Sequence, residues 1–243
     1  MEKEKNNKRG GELIMEQKII MKDPRKSDYF YEESMKTLRT NIQFSSKKVK
    51  QIIFTSCYPN EGKSDLTFSI SREMGKAGKR VLLLDADIRR SIYVKRYGVD
   101  QKVNGLSQYL SGQIGRDLLV YQTNYANMDV IFAGPSAPNP SELLSDALFD
   151  ELLKEKREEY DYIFIDTPPI GTIIDAAVVA EKSDGAILVI ESEAVSYKAA
   201  QKAKKQLERS GCHILGAVLN KVDVKKDKYY SHYYGRYGGY YKR

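Results

Sequence analysis

The chain is poor in the residues that build metal and redox centres. Its two cysteines, Cys57 and Cys212, have neither metal-site nor redox-motif spacing, which leaves them as plain reduced thiols. Its two histidines, His213 and His232, have no second ligand at metal-site spacing, and no Ser/His/Asp arrangement is visible. No stretch approaches the roughly 18 apolar residues of a membrane span. The opening MEKEKNNKRGG lacks the apolar region of a signal peptide, so the chain is expected in the cytoplasm. Internal repeats and a second core are absent, and 243 residues suit one α/β domain with tails.

A positive excess is present, and its place matters. The formal net charge is +7. Residues 221–243 alone hold Lys221, Lys225, Lys226, Lys228, Arg236, Lys242 and Arg243 against Asp223 and Asp227. Most of the excess therefore lies in a terminal segment, not on the folded body. That segment ends in YYSHYYGRYGGYY, seven of the chain's 18 tyrosines with nothing nearby in sequence to bury them.

Residues 1 to about 28 are polar and aperiodic and read as a flexible arm. Tyr31, Met35, Leu38 and Ile42 then recur at helical intervals, predicting an amphipathic helix over roughly 30–44. Strand and helix signals alternate from there. KQIIFTS, KRVLLLDAD, NMDVIFAG, YDYIFIDTPP, GAILVIES and HILGAVLN are continuous apolar runs, as expected of parallel strands buried on both faces. Helices are expected near 63–77, 141–159, 173–183 and 196–210, with Ser141 and Glu142 capping and charging one start. The pattern predicts an α/β domain over 29–223 with a doubly wound, mostly parallel sheet, and a flexible tail over 224–243.

Ligands of such sheets bind beyond the carboxyl ends of the strands, and three strands end in polar chemistry. The first runs into SCYPNEGKSD (56–65), whose EGKS ending matches the second half of a phosphate-binding P-loop. Lys63 would reach the β/γ-phosphates and the Ser64 hydroxyl would bind Mg²⁺. Ser56 replaces the usual opening glycine, and Asn60, tolerant of left-handed backbone, stands where a glycine is common. An ordinary strand–turn–helix connection is the alternative. The second strand ends LLLDADIRR, placing Asp85 and Asp87 two apart, either to serve Mg²⁺ or to cap a helix and pair with Arg89 and Arg90. The third ends YIFIDTPP, where Asp166 is a Walker B acid or the start of a turn. Together, in this order, the three point to a nucleotide site.

With GLSQYLSG (105–112), PNPSELL (138–144) and the tyrosine tail, these motifs resemble the bacterial tyrosine kinases of capsule and exopolysaccharide synthesis. The likeness is to the cytoplasmic Gram-positive type (the CpsD/CapB family) and runs from about residue 25 to the end. It implies a P-loop fold related to the MinD/ParA ATPases and use of ATP and Mg²⁺. It also implies autophosphorylation of tail tyrosines, in a protein that regulates polysaccharide synthesis and export. Carried over by position, Glu61, Gly62, Lys63, Ser64, Asp65 and Asn220 hold the nucleotide. Ser64, Asp87 and Asp166 hold the metal, and Lys63, Asp85 and Asp87 serve catalysis, with Asp85 as general base for the tyrosine hydroxyl. The expected phosphorylation sites are Tyr229, Tyr230, Tyr233, Tyr234, Tyr237, Tyr240 and Tyr241.

The family's Glu-x-x-Arg-x-x-Arg helix motif, which helps build a ring of subunits, appears here as Glu33, Lys36 and Arg39. Lysine keeps the charge but loses the planar fork. Asp65 also departs, putting a carboxylate where a threonine commonly follows. The resemblance further implies a separate membrane-anchored activator that recruits the chain to the inner face of the plasma membrane, and a cognate tyrosine phosphatase. A MinD/ParA-like ATPase switch is the rival. Its early P-loop lysine is here Tyr58. A nucleic-acid-binding role would leave the three motifs unexplained, so no nucleic acid is expected.

Overall fold

The computed structural model describes residues 17–26, 28–45 and 48–223. The strands are β1 (Gln17–Lys18), β2 (Gln51–Ser56), β3 (Val81–Asp85), β4 (Tyr121–Gln122), β5 (Met128–Ile131), β6 (Tyr162–Asp166), β7 (Gly185–Glu191) and β8 (Ile214–Asn220). The helices are α1 (Tyr29–Ser45), α2 (Lys63–Lys76), α3 (Tyr93–Arg96), α4 (Leu106–Leu110), α5 (Pro140–Ser145), α6 (Ala147–Glu159), α7 (Asp175–Glu181) and α8 (Tyr197–Arg209). The strands form one sheet in the order β1-β4-β5-β3-β6-β2-β7-β8. Every pairing is parallel except β4 with β5.

Central strands are apolar throughout because both their faces are covered. Alternate residues go to opposite sides. Ile53, Leu82, Leu84, Ile163 and Ile165 join one core with Phe149, Leu152 and Val179 of α6 and α7. Ile52, Phe54, Val81 and Phe164 join Met35 and Ile42 of α1 and Leu66, Ile70 and Met74 of α2 in another.

The chain departs from the sequence reading in four places. The HILGAVLN run, read as buried on both faces, forms the edge strand β8, none of whose residues is fully buried. Residues 17–26 are not a free arm: β1 pairs with β4, and Ile19 and Met21 are buried with Tyr93, Tyr97 and Tyr121. Three apolar residues are too few to show a period, and only partners far along the chain bury two of them, Ile20 staying exposed. The helix expected over 141–159 is two helices. Asp146 has extended backbone (ψ 149°) and its carboxylate accepts the Leu148 N–H at 2.8 Å, so it starts α6. Ser141 is no cap either. Asn139 precedes α5, Pro140 is its first residue, and the Ser141 hydroxyl turns to Asp175.

Strand order positions the site. Although β2 and β3 are consecutive central strands in sequence, β6 lies between them. The register sets Asp85 opposite Asp166, and Asp166 also opposite Phe54. Neighbouring strands are about 4.8 Å apart, so the three motif-bearing ends meet.

Candidate nucleotide site

The loop from β2 to α2 is shaped by two left-handed residues. Asn60 (φ 68°) adopts the conformation asparagine tolerates, and Gly62 (φ 88°) precedes the first turn of α2. Ser56, in place of an opening glycine, donates its hydroxyl to the Tyr58 carbonyl at 2.7 Å and so ties the turn. Thr55 and Thr167 hydroxyls, donating to Pro168 and Phe54 carbonyls, fasten the adjoining strand ends. Free backbone N–H groups at the start of a 14-residue helix favour anions.

Two residues assigned to the nucleotide brace this loop through their side chains. The buried Glu61 carboxylate accepts the Tyr58 N–H through one oxygen and the Glu191 N–H through the other. Burial pushes its pKa up, against the backbone N–H groups that favour its charge. Asn220, ending β8, donates Nδ2–H to the Glu61 carbonyl at 2.8 Å. A Cβ on Gly62 would stand 2.3 Å from that nitrogen, so glycine is required there by close approach as well as by φ. Lys221 adds a bond to the Asn60 carbonyl and pairs with Glu191.

Facing the loop is a cleft of about 520 Å³, whose lining includes Gly62, Lys63, Ser64, Asp85, Asp87 and Asp166. The Lys63 ammonium lies 3.1 Å from the Ser64 hydroxyl, 3.4 Å from Asp166 and 3.7 Å from Asp87. Burial works against its charge, but the carboxylates of Asp166, Asp87 and Asp85 outweigh it and hold the pKa above the ordinary lysine value. Asp85 is fully buried. Its oxygens accept the Asp87 N–H at 3.1 Å and the Ser91 hydroxyl. Burial, then the neighbouring Asp166, raises its pKa to about 8. Asp166 is raised too, chiefly by burial, with Lys63 pulling the other way. Asp87 also accepts the Arg90 N–H at 3.0 Å and closes a turn, but no helix begins after it until Tyr93 and Arg89 pairs with Asp175, so neither the helix-cap nor the arginine-pair alternative describes these acids.

The Asp65 carboxylate lines the cleft too, but its charge is paired. Arg96 takes both its oxygens and the Tyr97 hydroxyl donates to one at 3.1 Å. Sequence reasoning missed that pair because α3 lies thirty residues on. It also missed a second anchor: Asp175, wholly buried, accepts Arg89 Nε at 2.6 Å and Nη2 at 3.0 Å, and the Ser141 hydroxyl at 2.6 Å. This joins the LLLDADIRR and PNPSELL motifs. In GLSQYLSG, a Cβ on Gly105 would lie 2.1 Å from the Gly134 nitrogen, which explains the glycine.

The donor set suits a hard dication. Among the described residues no three His, Cys, Asp or Glu form a closed cage. Mg²⁺ prefers one or two carboxylates with hydroxyl, water and phosphate oxygens, and Ser64, Asp87 and Asp166 are donors of that kind lining one cleft. The raised Asp85 and Asp166 also mark negative charge that a dication would relieve.

A family profile described as an AAA domain matches residues 50–211. The tyrosine-protein kinase CpsD of Streptococcus pneumoniae is 41% identical over 212 residues, 87% of this chain and 92% of that protein. This chain belongs to the CpsD-type family of bacterial tyrosine kinases. Bacillus subtilis tyrosine-protein kinase YwqD is 34% identical, covering 93% of this kinase and 94% of its own length. The kinase domain of Escherichia coli ETK superposes with a TM-score of 0.75 at 30% identity, covering 79% of this kinase and 75% of that chain. MinD of Pyrococcus horikoshii, solved with Mg-ADP, gives 0.63 at 25% identity over 73% and 72%. The expected P-loop fold of MinD/ParA type is thereby borne out.

The kinase's Glu33 and Lys36 form an exposed pair at 2.6 Å on α1, whereas Arg39 ties α1 to Glu73 of α2 at 2.7 Å. The seven tail tyrosines lie outside the described residues.

Proposed function

We propose that the chain is an ATP- and Mg²⁺-dependent autokinase that phosphorylates the tyrosines of its own C-terminal segment, in the control of capsular or exopolysaccharide synthesis and export. The observation that carries this reading is the convergence of the fully buried Asp85 carboxyl with Lys63, Asp87 and Asp166 in one cleft. A switch ATPase activates water, whereas a phenol with an ordinary pKa near 10 needs a base able to take its proton as the new bond forms.

Loop N–H groups and Lys63 would bind the phosphates, and Ser64, Asp87 and Asp166 would hold the metal. Bound Mg·ATP supplies the phosphoryl group and neutralises charge developing during transfer. Asp85, as carboxylate, takes the phenolic proton while the tyrosine oxygen bonds to the γ-phosphorus and the bond to ADP breaks. Asp87 N–H and the Ser91 hydroxyl fix the carboxylate's orientation. The closed Glu61–Asn220 brace holds the loop in place without rearrangement.

The catalytic body would span residues 29–223, buttressed by 17–26, and residues 224–243 would be the substrate tail. Tyr229, Tyr230, Tyr233, Tyr234, Tyr237, Tyr240 and Tyr241 would be its acceptors. A ring of subunits, using the α1 face around Glu33, Lys36 and Arg39, would present each tail to a neighbour. Among the described residues no helix is long and apolar enough to cross a membrane. As membership of the CpsD-type family suggests, a separate membrane-anchored activator would recruit the chain to the inner face of the plasma membrane, and a tyrosine phosphatase would reset it.

The test is phosphotyrosine detection on purified protein given Mg·ATP, with and without the activator's cytoplasmic segment, beside Lys63→Met and a chain ending at Lys228. Signal that needs both Lys63 and the tail supports the reading. ATP turnover with no phosphotyrosine under any condition refutes it in favour of the ATPase switch.

A further inference from the structure

The lining of the cleft also takes in the exposed Arg89, Arg90 and Ile92, the half-buried Ile173 and the buried Pro168 and Pro169. Its cations are not equivalent. Lys63 is enclosed by Asp87 and Asp166, Arg96 is committed to Asp65, and Lys221 is paired with Glu191. The exposed Arg90 differs: its guanidinium makes no ion pair or hydrogen bond among the described residues. Arg89 beside it is held from behind. Nε and Nη2 are fixed by the buried Asp175 and by Ser141, while Nη1 makes no such contact. The same cleft is thus lined by one oriented guanidinium and one uncompensated one, donors suited to a phosphate dianion.

The neighbourhood fixes which phosphate. Arg90 donates its backbone N–H to Asp87, whose other oxygen is 3.7 Å from the Lys63 ammonium. The arginine pair thus starts two and three residues from Asp87. The same lining holds Ile92, Ile173 and two prolines, which suit an aromatic ring better than a nucleotide's sugar. In the tail, Tyr229–Tyr230, Tyr233–Tyr234 and Tyr240–Tyr241 are adjacent pairs. Successive Cα atoms are about 3.8 Å apart, so a phosphate on one member stays close to the reaction centre while the other reacts.

We propose that Arg89 and Arg90 form a phosphotyrosine-binding subsite on the acceptor side of the cleft, so that a tyrosine beside an already phosphorylated one is the preferred next acceptor. This rests on the autokinase reading and adds an order to it. The first phosphate on a tail is placed slowly, and later ones follow quickly on the same chain. Each phosphate brings about −1.5 to −2 charge into a cleft whose acids are less exposed than Arg90, so Arg90 supplies attraction that an unmodified phenol cannot use.

The test uses the full chain with two synthetic tail peptides. Both keep only Tyr233 and Tyr234, the other tyrosines being phenylalanine, and one carries phosphate on Tyr234. Initial rates with Mg·ATP give KM for each, and fluorescence anisotropy without ATP gives affinity directly. The expected result is a KM and Kd about tenfold lower for the phosphorylated peptide, the worth of one good charge-assisted contact. In Arg90→Ala the two peptides become equal, and Arg89→Lys narrows the gap. Inorganic phosphate and a phosphoserine peptide compete less well than the phosphotyrosine peptide. Equal values for both peptides in the unaltered chain overturn the subsite. So does an equal weakening of both peptides in Arg90→Ala, or a rise in the KM for ATP alone. Failure of the autokinase reading looks different: neither peptide gains phosphate, and anisotropy then decides the subsite by itself.

Discussion

Replacing Asp85 by asparagine should make the nucleotide-free protein more stable near pH 8 while abolishing phosphoryl transfer. Burial and the Asp166 carboxylate raise Asp85 from the ordinary aspartate value of 3.8 to about 8. Below about pH 4 both folded and unfolded chains hold that proton, and above about pH 8 neither does. Between them the folded chain holds one proton more, so stability falls as pH rises, by up to about 1.4 kcal/mol per pH unit. Across pH 6 to 8 the loss is about 2 kcal/mol, an upper bound because water enters such clefts. Asp166, also raised, acts in the same direction. Lys63, raised above the usual lysine range, keeps its contribution until far more alkaline pH. Asp23 and Asp184 are buried against their charge, but their arginine partners win and hold them low, so their contribution is lost only in acid. Asparagine retains an acceptor for the Asp87 N–H, and the Ser91 hydroxyl can reverse to accept from its amide. The assay is urea unfolding in EDTA from pH 5.5 to 8.5, comparing midpoints at constant slope with denaturant. The unaltered chain should weaken steadily with pH and D85N should be flatter. A flat or rising profile in the unaltered chain, or the same slope in D85N, would refute the assignment of strain to this carboxyl.

Other substitutions separate causes that look alike. Gly105→Ala should cost about 2–3 kcal/mol because its Cβ strikes the Gly134 backbone, whereas Gly112→Ala, in open space at φ 72°, should cost about 1 kcal/mol. Asparagine should rescue position 112 and not 105 in urea unfolding. Asn220→Ala removes the bond to the Glu61 carbonyl and leaves a gap beside Gly62, so nucleotide affinity should fall about three- to tenfold in calorimetric titration with only a small change in unfolding midpoint. Arg39→Ala frees Glu73 and should lower stability by about 1 kcal/mol, while Lys36→Ala should not, since its pair with Glu33 is on the surface. If sedimentation shows both variants assembling as the unaltered chain does, the α1 face is not the ring contact.

Local chemistry was readable without coordinates. Continuous apolar runs of strand length determined β2, β3 and β6, and the polar residues closing them had to emerge at carboxyl ends, because a parallel sheet buries everything earlier. Asn60 took the left-handed backbone its residue type permits. Spacing within a helix turn gave α1 and α2 nearly to the residue. What needed the tertiary structure was every relation between segments distant in sequence. The insertion of β6 between β2 and β3 brings Asp166 across from Asp85 and raises both pKa values. Folding α3 back onto α2 gives Asp65 to Arg96 and compensates its charge beside the phosphate loop. The end of β8 reaches the loop at Glu61 and makes Asn220 a brace, and β4 offers the edge that buries Ile19 and Met21. A sequence pattern records the surroundings a residue needs. Which distant residue supplies them depends on strand order and register, and those are decided by packing of the whole sheet.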